Sequence, residues 1–260
     1  MRRADHAESD RLLTLYTRDH GKLKAVAKGA RKPQSRKTGH VELFMRTQFL
    51  LASGRAFFVA TQAEMVEAYE ALRHDLVRTT YAAYAVELLD QFTADEDKNI
   101  TLYDLLANGL DRFANEENLL LAARYYELRL LSAAGFQPQL FRCVESGELI
   151  EQEDQFFSAD LGGLLKPDQI HADRRAKPVS GGAVKVLRYL QTRSWDVVRP
   201  LQLRRSLHSE LESILHYYLT YLLERRLRSA DFLNRLRREA ALFAPESPEG
   251  EEGLAIHNPE

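Results

Sequence analysis

Seven of the nineteen residues from Lys22 to His40 are Lys or Arg, and none is Asp or Glu. The stretch reads Lys-Leu-Lys-Ala-Val-Ala-Lys-Gly-Ala-Arg-Lys-Pro-Gln-Ser-Arg-Lys-Thr-Gly-His. From residue 22 to 28 basic and apolar side chains alternate, the period of a half-buried strand, and Gly29, Pro33 and Gly39 then impose a loop. A basic strand edge running into a basic loop gathers positive potential along a short track. A polyphosphate backbone is its natural complement, because each neutralised phosphate releases condensed counterions. A solvated surface loop is the plainer alternative. Seven cations with no opposing charge are nevertheless unusual in a chain of net charge −2. The predicted phosphate contacts are Lys22, Lys24, Lys28, Arg31, Lys32, Arg36 and Lys37.

A second group with chemical potential is Cys143-Val144-Glu145-Ser146-Gly147, followed fourteen residues later by Gly162-Gly163-Leu164-Leu165-Lys166-Pro167-Asp168-Gln169. Two such turns are the layout of a zinc ribbon, in which four thiolates close a tetrahedral site. Here only Cys143 is a cysteine. One thiolate does not hold structural zinc, and His171, Glu145 and Asp168 stand at no ligand spacing, so no metal or other cofactor is expected. Gly147, Gly162, Gly163, Pro167 and Pro178 make residues 143–178 read as an irregular insert, packed through Leu161, Leu164 and Leu165.

Catalytic motifs are missing. The chain has no G-x-x-x-x-G-K-[ST] phosphate loop and no His-Glu-x-x-His. Pro167-Asp168 with Asp173-Arg174-Arg175 lacks the lysine of a nuclease motif, and the eight histidines are scattered. The expectation is a binding protein and not an enzyme.

The elements that must position these residues fall into two parts. Residues 1–70 read as five short strands: Arg2–Ala4, Arg11–Thr17, Lys22–Lys28, Val41–Ala52 and Ala56–Met65, with a turn at Asp19-His20-Gly21 and a hairpin at Ser53-Gly54-Arg55. Five strands with a long loop after the third suit a small closed barrel, OB-fold or SH3-like. From Glu67 the period becomes helical. Tyr81, Tyr84, Ala85, Leu88, Leu89 and Phe92 form one stripe. Thr101 with Asp104 resembles a capping box, a third helix near Leu119–Ala134 should stop at Gly135, and Ser180–Arg193 and Leu207–Leu227 follow. The predicted fold is thus α+β and multidomain: a barrel over 1–70, helices over 71–142 and 179–240, the insert between them, and a tail over 241–260.

Composition bounds the setting. Apolar residues at 45% and charged residues at 28% describe a soluble globular protein, with no apolar run of membrane-span length and no apolar core of a signal peptide. A single cysteine excludes an internal disulfide and fits a reducing cytosol. Residues 1–46 hold twelve basic and five acidic side chains, whereas 239–260 hold six acidic and no Lys or Arg. Such an acidic tail is expected to be a disordered solubilising end. Arg204, Arg205, His208 and the arginines of 225–238 offer a further basic surface, or else ordinary charged helix faces paired with Glu210, Glu212, Glu224 and Glu239.

These stretches together resemble the RecO family of bacterial recombination and DNA-repair mediators. Glu8–Leu15 with Gly21-Lys22 is similar to the family's first hairpin, and Ala27-Lys28-Gly29-Ala30-Arg31-Lys32-Pro33 with Ser35 to its basic loop. Gln62-Ala63-Glu64 resembles the end of its barrel, Cys143–Gln169 its ribbon region and Arg225–Leu236 its last helix. Ser146, Lys166 and Gln169 stand where zinc-binding relatives have cysteine, so the family's metal is not carried over. The resemblance implies an OB-fold joined to a helical domain. It also implies binding of single- and double-stranded DNA, annealing of strands coated by single-stranded DNA-binding protein (SSB), and action with RecR to load RecA, in the bacterial cytoplasm at the nucleoid. An OB-fold RNA- or tRNA-binding protein of the translation machinery is the alternative, since backbone charge does not distinguish DNA from RNA.

Overall fold

A computed structural model describes residues 1–32, 34–35, 38–224, 229 and 233. It opens with five strands, β1 (Arg2–His6), β2 (Asp10–Thr17), β3 (Gly21–Ala27), β4 (Arg46–Ala52) and β5 (Phe58–Glu67). They form one sheet of order β1-β2-β3-β5-β4, antiparallel except where β3 runs parallel to β5. Leu13, Ala27, Ala30, Val41 and Ala60 are buried on its inner face, with Leu15, Phe49, Leu51 and Ala63 packed around them. Among the described residues no ladder joins β1 to β4, the pairing that would close the expected barrel.

The predicted long strand from Val41 is shorter than expected. Phe44 adopts φ +59°, a left-handed conformation that ends any strand through it, so β4 begins only at Arg46. Val41 still reaches the sheet interior, from the segment before β4.

Among the described residues seven helices follow: α1 (Ala71–His74), α2 (Leu76–Phe92), α3 (Ile100–Asn115), α4 (Leu119–Ala133), α5 (Gly181–Thr192), α6 (Trp195–Val198) and α7 (Arg205–Leu223). Four of the starts are fixed by side-chain caps. Asp75 accepts from the Val77 and Arg78 amides, Asn99 from Leu102, Asn118 from Leu121 and Ser180 from Ala183. The box expected at Thr101 and Asp104 is therefore replaced by Asn99, two residues upstream. Gly135 at φ +85° ends α4 where expected: the Phe136 amide reaches back to the Leu131 carbonyl at 2.8 Å. The end predicted at Leu227 lies outside the described residues, which leave α7 at Leu223.

Helix α4 carries buried residues on every side, from Leu121 to Leu131, because it lies at the centre and packs on α2, α3, α5 and α7. It also buries charge: Glu127 accepts from the Tyr84 hydroxyl at 2.7 Å and pairs with Arg124 at 2.7 Å.

The insert is more regular than its composition suggested. Strands β6 (Gln155–Ser158), β7 (Gly163–Leu165) and β8 (Lys177–Val179) form an antiparallel sheet of order β7-β6-β8. Three- and four-residue strands show no readable alternation, which is why the sequence reads as loop there. Leu164 and Leu165 enter the helical core as expected, together with Phe157 and Val179, but Leu161 stays 39% exposed. Arg188 of α5 anchors the insert by donating to the Leu140 and Ile150 carbonyls at 2.7 and 2.8 Å.

Candidate nucleic-acid interface

The basic track sits on the outer face of the first sheet. Residues directly opposite in a ladder share a face. Leu13 pairs with Ala25 on the inner side, so Leu12, Thr14 and Tyr16 of β2 face outward with their partners Val26, Lys24 and Lys22 of β3. One half of this outer face is covered. Tyr16 belongs to the helical core, and the Glu96 amide donates to the Lys22 carbonyl at 2.7 Å. The other half, from Lys24 to Lys28, is not covered in this way.

That division sorts the predicted contacts. Lys22 is only 8% exposed, and its ammonium donates to the Asp90 carboxylate and to the carbonyls of Asp90 and Thr93 at 3.1, 3.0 and 2.7 Å. It fastens the sheet to α2 and presents no charge outward, contrary to expectation. The alternating pattern cannot show this, because a strand's polar face reads the same whether water or a carboxylate faces it. Lys24 has a side chain 49% exposed with one carboxylate, Asp95, at 3.9 Å. Lys28 and Lys32 are exposed and line a shallow recess with Gly29, Gln34 and Ser35. Arg31 is exposed too, but it lies 3.4 Å from Asp5 and donates to the Glu8 carbonyl, which holds the loop against β1. Arg36 and Lys37 lie outside the described residues.

Backbone contacts shape the loop. Gly29 takes φ +67°, and its amide donates to the Asp10 carboxylate at 2.8 Å, while the Arg31 amide donates to the Ser9 carbonyl at 3.0 Å. The turn is thus tied to the start of β2, with Lys28 and Lys32 projecting from it. Sequence reasoning weighs Phe57 and Phe58, on opposite faces of one strand, as a possible aromatic platform but does not reach His6. His6, the last residue of β1, meets Phe57 edge-to-face with ring centroids 6.3 Å apart. Nothing in the spacing of residues 6 and 57 could have paired them.

Of the basic residues read in the helical domain, three lie among the described residues. Arg204 and Arg205 are exposed, but His208 is buried, and Glu210 accepts from the amide and hydroxyl of Ser180 at 2.6 and 2.7 Å. The arginines of 225–238 lie outside the described residues.

The ribbon-like turns do come together. The Gly147 amide donates to the Cys143 carbonyl, the Gln169 amide to that of Lys166, and the Val144 amide to that of Leu164, each at 2.9 Å. The side chains do not suit zinc. Besides Cys143 the equivalent positions hold a hydroxyl, an ammonium and an amide, and Lys166 is paired with Glu148. An ammonium has no lone pair to give a metal, and its charge repels one. Burial pushes the Cys143 thiol up, but the Ser146 hydroxyl and the backbone at Ser146, Lys166 and Glu145 outweigh it and hold the thiol below its usual range. Among the described residues no three of His, Cys, Asp or Glu gather as a metal would need.

The fold and this surface define a class: an α+β protein whose N-terminal sheet carries an exposed cationic loop and is docked on a helical domain. Comparison with known proteins narrows it. Residues 1–69 match the family described as Recombination protein O N terminal, and residues 73–231 match Recombination protein O C terminal. The chain belongs to the RecO family. It is 39% identical over 247 residues to a protein of Roseiflexus sp. (strain RS-1) named DNA repair protein RecO, covering 95% of this chain and 87% of the relative. A protein of the same name from Desulforamulus reducens is 38% identical over 236 residues, 89% of this chain and 90% of the relative. Another from Dehalococcoides mccartyi (strain ATCC BAA-2266 / KCTC 15142 / 195) is 31% identical over 238 residues, covering 92% and 94%.

Proposed function

We propose that this chain is a DNA-binding recombination mediator that acts in DNA repair, with no bond-breaking activity and no cofactor. It binds single- and double-stranded DNA, anneals complementary strands coated by SSB, and acts with RecR to help load RecA, in the bacterial cytoplasm at the nucleoid. The observation that carries this reading is the exposed lysines, Lys24 on the uncovered half of the sheet face with Lys28 and Lys32 in the turn that follows it, in a member of the RecO family. Arg31, Arg36 and Lys37 extend the same track along the chain. Residues 1–70 are the nucleic-acid-binding part, working as an OB-type barrel. Arg3 of β1 and Arg11 of β2 both pair with Glu42, four residues before β4, which supports closure through side chains.

Annealing tests the reading. Complementary fluorescent strands are coated with SSB and mixed with the protein, with matched RNA strands as a second arm. Rapid annealing of DNA, slowed at least tenfold by Lys28→Ala/Lys32→Ala, supports it. Failure to anneal DNA, or a clear preference for RNA, contradicts it.

A further inference from the structure

An aromatic contact lies at the edge of the cationic face. His6 closes the edge strand β1, and Phe57 immediately precedes β5, with β2 and β3 between them in the strand order. In a flat sheet three strand spacings would separate those elements by about 14 Å. The rings nonetheless lie 6.3 Å apart, at 87° to each other. Twist makes a sheet saddle-shaped, so one diagonal is concave and brings its two corners together. His6, beside the start of β2, and Phe57, beside the Phe58 partner of Ala25, lie along such a diagonal.

The surroundings of the pair are suited to a base. His6 shares the outer face with Ala4, and Ala4 pairs with Leu12, which in turn pairs with Val26. The strip of sheet beside the rings is thus apolar, with Leu12 half-buried and Val26 buried. By strand alternation Lys24 and Lys28 flank Val26 on that same face, and both are exposed. On the far side, Phe57 lines a recess with Lys24 and Arg55, and with Asp95 and Glu96. His6 is exposed and Phe57 half-buried, so the rings are reachable from water.

We propose that the His6–Phe57 pair is a stacking platform for an unpaired nucleobase, with the flanking phosphates held by Lys24 and Lys28. The inference rests on the nucleic-acid-binding reading above and deepens it. It assigns to these two rings a preference for single strands that charge alone cannot supply. A duplex hides its bases and meets only the cations, whereas a single strand offers a π-face to any aromatic side chain.

The test compares a single-stranded DNA oligomer with a duplex of equal length, by anisotropy, using His6→Ala/Phe57→Ala, Phe57→Trp and Lys28→Ala/Lys32→Ala. The expected result for His6→Ala/Phe57→Ala is a loss of single-strand affinity of about 5- to 100-fold with an unchanged salt slope. Duplex affinity stays within about twofold. Phe57→Trp keeps single-strand affinity, and its fluorescence is quenched by single strands but not by duplex, which shows stacking independently of any folding defect in the alanine variant. If the ring variants bind single strands as the parent does while the lysine variant weakens both substrates, the platform is wrong and the interface stands. If the lysine variant also changes nothing, the interface reading itself fails and the platform with it.

Discussion

Lys22 and Asp90 form the charged joint between the two parts of the molecule: the ammonium of β3 meets the carboxylate of α2 at 3.1 Å, and both side chains are 10% exposed. The lysine that begins the basic run is therefore a structural residue. Removing Lys22 takes its donors from the carbonyls of Asp90 and Thr93, while Arg2 still pairs with the Asp90 carboxylate, at a cost of about 2 kcal/mol. Lys22→Met should lower unfolding free energy by about that much in a denaturant titration. Its salt slope for DNA should stay the same as the parent's, in contrast to substitutions at Lys28 or Lys32.

The same joint depends on a glycine. Gly21 has φ +63°, and a Cβ there would sit 2.0 Å from the Asp97 carbonyl oxygen. Gly21→Ala meets both a backbone conformation that side chains avoid and a clash with backbone, which cannot swing aside. A loss of about 2–3 kcal/mol is expected, read as a lowered denaturant midpoint.

Buried phenols predict the alkaline limit. Burial, helped by Asp97, pushes the Tyr16 hydroxyl up to about 12. Burial also raises Tyr84, beside Glu127, and Tyr126. A group whose folded value is raised contributes stability that is present in full below its unfolded value, near 10 for tyrosine. That stability is lost as pH rises from about 10 towards and through 12. A spectrophotometric titration at 295 nm should show part of the eleven tyrosines ionising only as the fold is lost.

The insert should be indifferent to metal. Its sheet is held by Phe157, Leu164 and Leu165 in the helical core and by Arg188 on two carbonyls. Excess chelator should leave the thermal midpoint unchanged within a degree, and purified protein should carry far less than one zinc per chain. Stoichiometric zinc that stabilises the protein would overturn this account of the turns at Cys143 and Lys166.

Much of this arrangement could be read from the residues, for reasons that differ by element. The stripe from Tyr81 to Phe92 and the stop at Gly135 are local signals, set within a few turns of helix, and both appear in the structure. The cationic loop was legible because Gly29 and the run of lysines are contiguous. Lys22 was not, since its burial depends on Asp90, sixty-eight residues away. The His6–Phe57 contact likewise arises from how the sheet coils. The strands of the insert were hidden because three residues carry no period, and β4 was overextended because nothing in the sequence marks Phe44 as left-handed.

The most direct test of the central claim is anisotropy of a labelled single-stranded DNA oligomer across a salt series, for the parent and Lys28→Ala/Lys32→Ala. Four to six phosphate contacts give a log–log slope of about −3 to −4, and removing two contacts should flatten it by about 1.4. Thermal midpoints should agree closely, since both lysines are exposed. A shallow slope that the two substitutions leave unchanged would contradict the account, because the cationic face would then not be where the phosphates bind.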